Sequence, residues 1–431
     1  MRNIRWRILV AALLAIGAVA PASGARRFTI TSFGAVGDGK TVNTSALQAL
    51  IDKVAKEGGG TVVVPEGTFL TGALFFKQGV NLYLEKNGTL KGSVEQNDYP
   101  QVKTRWEGIE REWTSALLNF TDMNGVELSG EGTVDGSGDL WFARSGFRRG
   151  RGAPGQDQPP PPPPPGPRFG RPRMICFQNC KRVRITRVHL RQEAVWCLHI
   201  LYSEDVIVDG ISIRCDHNIP SADGIDIDSS KKVRVRNVDI DNNDDSITIK
   251  SGKDEDGLRV NRPSEDIIVE NSHFHNGGSL VAMGSETSGG IRNVTVRHCT
   301  ADSDNAAPIR FKTQPSRGGV VENITYSDIQ LTGTRQAFEF NMEWRMVPPI
   351  APPAKVLPIV RNVTIRNVRG TVKTVGVMHG LAGSPIVNVK FEKCDITADK
   401  GFMIENVRKV DLSGLKLTVK NGDAITKKNV E

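Results

Sequence analysis

Lys232-Val-Arg-Val-Arg-Asn-Val238 alternates aliphatic with charged residues and reaches an asparagine before its last valine. A strand with that period of two buries one face and wets the other. Upstream the unit recurs as Gly125-Val-Glu-Leu-Ser-Gly130, Arg182-Val-Arg-Ile-Thr-Arg-Val188 and Asp205-Val-Ile-Val-Asp-Gly-Ile211. Downstream it recurs as Asp266-Ile-Ile-Val-Glu-Asn271, Arg292-Asn-Val-Thr-Val296, Glu322-Asn-Ile-Thr-Tyr326, Arg361-Asn-Val-Thr-Ile-Arg-Asn-Val368, Val387-Asn-Val-Lys-Phe391 and Lys409-Val-Asp-Leu-Ser-Gly414. The starts lie roughly 20 to 40 residues apart, a spacing that marks a solenoid. No single unit covers its own apolar face, but stacked coils do, with aliphatic ladders along the axis and asparagines at the bends pairing with backbone groups. The expected fold is all-β, a parallel β-helix.

Outward from the repeats, Asn43-Thr-Ser-Ala-Leu-Gln-Ala-Leu-Ile-Asp-Lys-Val54 places Leu47, Leu50, Ile51 and Val54 at helical spacing. Ser45 with Gln48 reads as a capping box and Gly58 to Gly60 as a stop, so a helix over 44–57 is expected to cap the first coil. Phe33 to Gly39 is glycine-rich but lacks the strand and helix context of a phosphate loop, and is read as a turn. Residues 1–24 join Arg2, Arg5 and Arg7 to an apolar run from Ile8 to Ala20 and then small residues. That is the pattern of a secretory signal, cleaved near Gly24 or Ala25. It predicts an exported protein, periplasmic or extracellular, with residues 25–431 forming one domain that keeps no membrane contact after cleavage.

The 431 residues carry a formal charge of +8. Much of it is local: three arginines and no acid in 1–24, and seven arginines against one acid in 142–173. The rest is nearly neutral, which argues against nucleic acid as the partner. The segment 144–173, with prolines from Pro159 to Pro165, cannot enter a sheet ladder; it is expected to be a solvated insert. The six cysteines are too few for a disulfide scaffold of this length and are read mainly as core residues.

Three neighbouring coils concentrate charge. Asp223-Gly-Ile-Asp226-Ile-Asp228 is followed by Asp244-Asp245 and Ile249-Lys250-Ser-Gly252, then by Gly284-Ser-Glu286 and Arg310-Phe-Lys312. Residues one coil apart lie on adjacent rungs, about 4.8 Å away, so Asp223 and the Asp244/Asp245 pair can meet. Crowded carboxylates oppose one another's ionisation. Glycoside hydrolysis uses that opposition, because it needs one protonated carboxyl and one ionised carboxylate. Turn capping or a calcium loop is the competing reading of the aspartates.

With Phe33 to Gly39, Arg105-Trp-Glu-Gly-Ile-Glu110 and Gly130-Glu-Gly-Thr-Val-Asp-Gly136, these motifs resemble the polygalacturonases of glycoside hydrolase family 28. The resemblance implies a right-handed β-helix and inverting, metal-free and cofactor-free hydrolysis of a pectic, galacturonate-containing poly- or oligosaccharide by a monomer. It implies Asp244 as general acid, Asp223 and Asp245 as the carboxylates that activate water, and Arg310 and Lys312 as binders of a galacturonate carboxylate. Lys250 and Glu286 are further candidates for substrate binding. The chain departs from the family where Ser221-Ala222 precedes Asp223, where Gly278 stands in place of a histidine, at Phe311, and at Asn341-Met-Glu-Trp344. These departures keep open a rhamnogalacturonan-directed hydrolase, a calcium-dependent lyase, and a binding β-helix whose catalysis has decayed.

Overall fold

The computed structural model describes residues 26–144, 170–344 and 351–431. Residues 1–24, read as a secretory signal, and most of the Pro/Arg insert lie outside the described residues. The central coils each supply three short strands, one to each of three parallel faces, and in the C-terminal coils these merge into long strands such as Val320–Asn341 and Ile359–His379. Ile225–Asp228, Lys231–Arg236 and Asp239–Asp241 pair in turn with Ile247–Lys250, Ser264–Glu270 and His273–Phe274 of the next coil. The expected parallel β-helix is what forms.

The repeats meet in register. Val126, Val183, Val206, Val233, Ile267, Val294, Ile324, Val363 and Val389 align rung upon rung, and all are buried. Burying each such side chain is worth about 1.5–3 kcal/mol, so the core is a column of aliphatic stacks. Aromatics stack likewise: Phe76, Phe120 and Phe177 follow one another at centroid spacings of 4.4 Å.

The bend before each of these strands uses a residue at positive φ, among them Asp266, Asn293, Asn323, Asn362 and Asn388 at 56–58°. Asparagine and aspartate tolerate this region best. Their side chains bond to one another up the stack, Asn323 to Asn293, Asn362 to Asn323 and Asn388 to Asn362 at 3.3, 3.1 and 2.8 Å. The expected pairing with backbone is therefore replaced here by a side-chain ladder.

The capping helix, α1, spans Thr44–Lys56 and buries Leu47, Leu50, Ile51 and Val54. Its capping box does not form: Gln48 spans the first coil to the backbone N–H and C=O of Phe75, and Asn43 instead ties down the glycine loop at Val36. Two short helices, α2 (Gly138–Arg144) and α3 (Asp254–Val260), leave the coils as excursions. All six cysteines are buried free thiols. Among the described residues no helix is long and apolar enough to cross a membrane.

One element departs from the solenoid. Gln101–Trp106 and Ile109–Thr114 form an antiparallel hairpin that folds over the face carrying the charged residues.

Candidate active site

That face is built from the strands Leu198–Leu201, Ile225–Asp228, Ile247–Lys250, Val281–Met283 and Ile309–Lys312, followed by the end of the long strand Val320–Asn341. On each strand aliphatic and aromatic residues point inward and the alternate positions point out. One outward row therefore reads His199, Asp226, Thr248, Ala282, Arg310, Glu339. A second carries Asp228 and Lys250 on adjacent rungs, with Lys312 and Asn341 further along. Asp223, Asp245 and Ser279 each stand two residues before their strands, at the entering bend.

The structure brings together all seven residues singled out from sequence, six of them in two groups and Asp244 between. In the first, Lys250 Nζ lies 3.2 Å from Asp223 Oδ2, 3.1 Å from Asp226 Oδ1 and 3.8 Å from Glu286 Oε1, with the Trp196 ring 3.9 Å away. Burial pushes the Asp223 carboxyl well up; Lys250 opposes this, and Asp226, Asp244 and Asp245 add to it. Asp226 rises to about 7 and Glu286 also rises, again chiefly through burial. One ammonium thus faces three carboxyls, and they cannot all ionise cheaply.

In the second group Lys312 pairs with Asp245 Oδ2, Arg310 stands 3.5 Å from Oδ1, and Ser279 Oγ donates to Oδ1 at 2.9 Å. Burial opposes ionisation of Asp245 as well, but Lys312 and Arg310 outweigh it and hold the carboxyl below the usual range. Arg310 also pairs with Glu339 at 2.7 Å. Trp344 lies over both cations, 4.7 Å from the guanidinium carbon and 5.4 Å from the ammonium. Asp244 is half-buried between the groups, and its Oδ1 accepts from the Asp245 N–H at 2.9 Å.

A side chain at Gly278 would press on the carboxylate and the guanidinium of the site. A Cβ there would stand 2.7 Å from Asp245 Oδ1 and 3.1 Å from Arg310; the side chain that reaches Asp245 is that of the next residue, Ser279. His273 and His275 lie on another face, where they pair with Asp239 and Asp302.

Sequence reasoning left unassigned the polar layer under the hairpin. Arg105, fully buried, pairs with Asp228 at 2.8 Å. Asp228 stays well below the usual range because Arg105 and His199 outweigh its burial. Arg173 NH1 donates to His199 Nδ1 at 2.7 Å, and burial lowers that imidazole to about 4, leaving it neutral. Arg173, the end of the supposedly solvated insert, is therefore buried in the site, and Arg171 bonds the carbonyls of Ala194 and Pro220. Asp226 and Asp228 were findable: in Ile225-Asp-Ile-Asp228 the acids occupy the outward positions.

Trp106, Trp113 and Trp196 pack together at centroid distances of 5.2 and 4.6 Å. Trp196 stands two residues before Leu198, the register partner of Ile225, so the cluster occupies the rung immediately N-terminal to Asp223, while Arg310, Lys312 and Trp344 lie on the C-terminal side of the carboxyls. The site thus offers a lifted and a depressed carboxyl beside two cations, with a tryptophan cluster on one side.

Comparison with known proteins gives a consistent picture. The sequence profile of glycosyl hydrolases family 28 matches residues 58–414. A probable polygalacturonase of Vitis vinifera is 27% identical over 372 residues, spanning 84% of this chain and 72% of its own length. An exo-poly-alpha-D-galacturonosidase of Dickeya chrysanthemi is 27% identical over 380 residues, 79% of this chain and 62% of the relative. The hyperthermoactive exopolygalacturonase of Thermotoga maritima superposes with a TM-score of 0.76 at 30% identity, covering 90% of this chain and 92% of that one.

Proposed function

The chain belongs to glycosyl hydrolases family 28 and is a glycosidase of the polygalacturonase type, and from that premise we propose that it is an exported enzyme cleaving galacturonosyl linkages of pectic chains with inversion and from one end. The observation that carries the reading is the meeting of Asp223, Asp244 and Asp245 at adjacent rungs, with Asp245 held ionised by Lys312 and Arg310 and Asp244 in the less buried position beside it. An inverting glycosidase needs that division between a proton donor and an ionised base.

In this reading Asp245, kept ionised by Lys312 and Arg310, draws the proton from the attacking water. Asp244, at the more open edge, protonates the leaving oxygen, and Asp223 helps to hold the water. Arg310 and Lys312 present positive charge to a galacturonate carboxylate beside Trp344. Exo action is the reading supported by the tryptophan cluster on the rung before Asp223, and two of the relatives carry exo-activity in their names. Export rests on the N-terminal segment.

The lift of Asp223 favours a second assignment, with Asp223 as the acid. Leaving-group dependence separates the two. Asp244→Asn is expected to slow cleavage of polygalacturonate by about 10²–10⁴-fold and to lose far less on a galacturonide with an activated aryl leaving group, which needs no protonation. If Asp223→Asn shows that pattern instead, Asp223 is the donor. NMR of the first-formed anomer tests inversion directly; retained configuration rejects it.

A further inference from the structure

Outside the groove, one group of side chains is arranged beyond what packing requires. His273 and His275 flank the fully buried Phe274, so both imidazoles project from the same outer face, with ring centroids 4.0 Å apart. The coil before places Asp239 in register with His273. The coil after places Asp302 beyond Ala301, which pairs with Phe274.

Asp302 divides its oxygens between the rings: Oδ2 lies 2.7 Å from His273 Nε2 and Oδ1 lies 3.1 Å from His275 Nδ1. Ser303 fixes the carboxylate at 2.8 Å. With Asp302 accepting from those two nitrogens, the opposite ones, His273 Nδ1 and His275 Nε2, are the atoms left for a metal ion, which would take the place of the proton that His275 Nε2 shares with Asp239. Both face Asp239, at 3.9 and 3.3 Å.

Two imidazole nitrogens and a carboxylate oxygen thus converge, and the ligand atoms of Asp239, His273 and His275 lie within 4.8 Å of one another. A tetrahedral zinc ion with bonds of about 2.0–2.1 Å needs ligand separations of roughly 3.3–3.4 Å. The side chains are partly exposed, and small rotamer changes close that gap. Asp302 occupies the place of the carboxylate that fixes tautomer and ring orientation behind metal-bound histidines.

We propose that Asp239, His273 and His275 form a site for a divalent transition-metal ion of the zinc class, with Asp302 orienting both imidazoles. The site lies apart from the groove and takes no part in hydrolysis. It clamps the coil that leads, five residues later, to Asp244 onto the coil that leads, four residues after His275, to Ser279. Arg214, which also contacts Asp239, is the cation against which the metal binds. The donor set of nitrogen and carboxylate favours zinc, cobalt, nickel or copper over calcium or magnesium.

Calorimetric titration of the untagged, metal-stripped full chain with Zn²⁺, and with Co²⁺ followed by its visible absorption, tests this. One equivalent is expected to bind saturably at neutral pH and to raise Tm. Asp302→Asn is expected to weaken binding by about 10–100-fold at unchanged stoichiometry, and the double variant His273→Ala/His275→Ala to abolish it while unfolding remains cooperative. Absence of saturable binding to the native chain overturns the proposal. So does binding that survives the double variant, or an Asp302→Asn affinity equal to that of the native chain.

Discussion

Asp223 and Asp245 have the same side chain, similar burial and adjacent rungs, and they differ because one shares a single lysine with two other carboxyls while the other has two cations and a hydroxyl. The difference sets a pH dependence. Asp245 is depressed, so it is ionised, and ready as a base, down to unusually low pH. Lys312→Met removes the largest cause of that depression, so the acid limb of the kcat/KM profile is expected to move to higher pH; an unmoved limb means that Asp245 is not the base. Glu193 gives the converse sign for stability. Burial pushes its carboxyl up to about 8, against about 4.3 in an unfolded chain. The stability associated with its neutral form is complete below about pH 4 and is lost as pH rises through about 8. Glu193→Gln is therefore expected to raise Tm more at pH 8 than at pH 5 in parallel thermal melts. The carboxylate motif and its basic partners were legible in sequence because they recur at coil spacing. Which carboxyl carries the proton was not, since that depends on Lys250, Glu286 and Lys312 converging from three different coils.

The hairpin is the element that folds over the site. Its Arg105 meets Asp228 across 123 residues of sequence, and its turn residue Gly108, at φ 78°, packs so tightly that a Cβ would meet Lys253 and Glu286. Nothing local in Gln101–Thr114 shows where an antiparallel pair will land, which is why Arg105, Arg173 and His199 had no assigned role before the fold was known. Arg105→Met leaves Asp228 buried without its main partner, and breaking a buried pair in this way costs about 3–5 kcal/mol; urea unfolding measures it. Replacing Trp106 with glycine thins the tryptophan cluster. Products from polygalacturonate are then expected to shift from end-released units toward longer oligomers, and an unchanged product profile argues that the cluster does not determine exo action.

At the scale of the whole molecule the repeat carries its own alignment. Lys181, Glu204, Lys231, Glu265, Arg292, Glu322 and Arg361 stack in one outward column with alternating sign. Several neighbours are in contact, including Arg292 with Glu265 and Arg361 with Glu322, both at 2.6 Å. Each exposed pair contributes little, but a coil misplaced by one rung sets like charges together along the column. Glu265→Lys places three cations in succession and is expected to cost about 1 kcal/mol, less in high salt, as read by denaturant titration at two ionic strengths. The solenoid was readable because aliphatic alternation repeats in every unit and asparagine marks the bends of many of them. The excursions at α2 and α3 were not, because each occurs once and has no counterpart in a neighbouring coil.

The central claim is that carboxylates on one sheet of this solenoid hydrolyse a galacturonosyl bond. Its most direct test is reducing-end release from polygalacturonate by the native chain and by Asp245→Asn, with absorbance of unsaturated products followed in the same samples. Release by the native chain, no new absorbance, and near-complete loss in the variant are the expected results. Undiminished release by Asp245→Asn, or an unsaturated product in place of hydrolysis, would contradict the account.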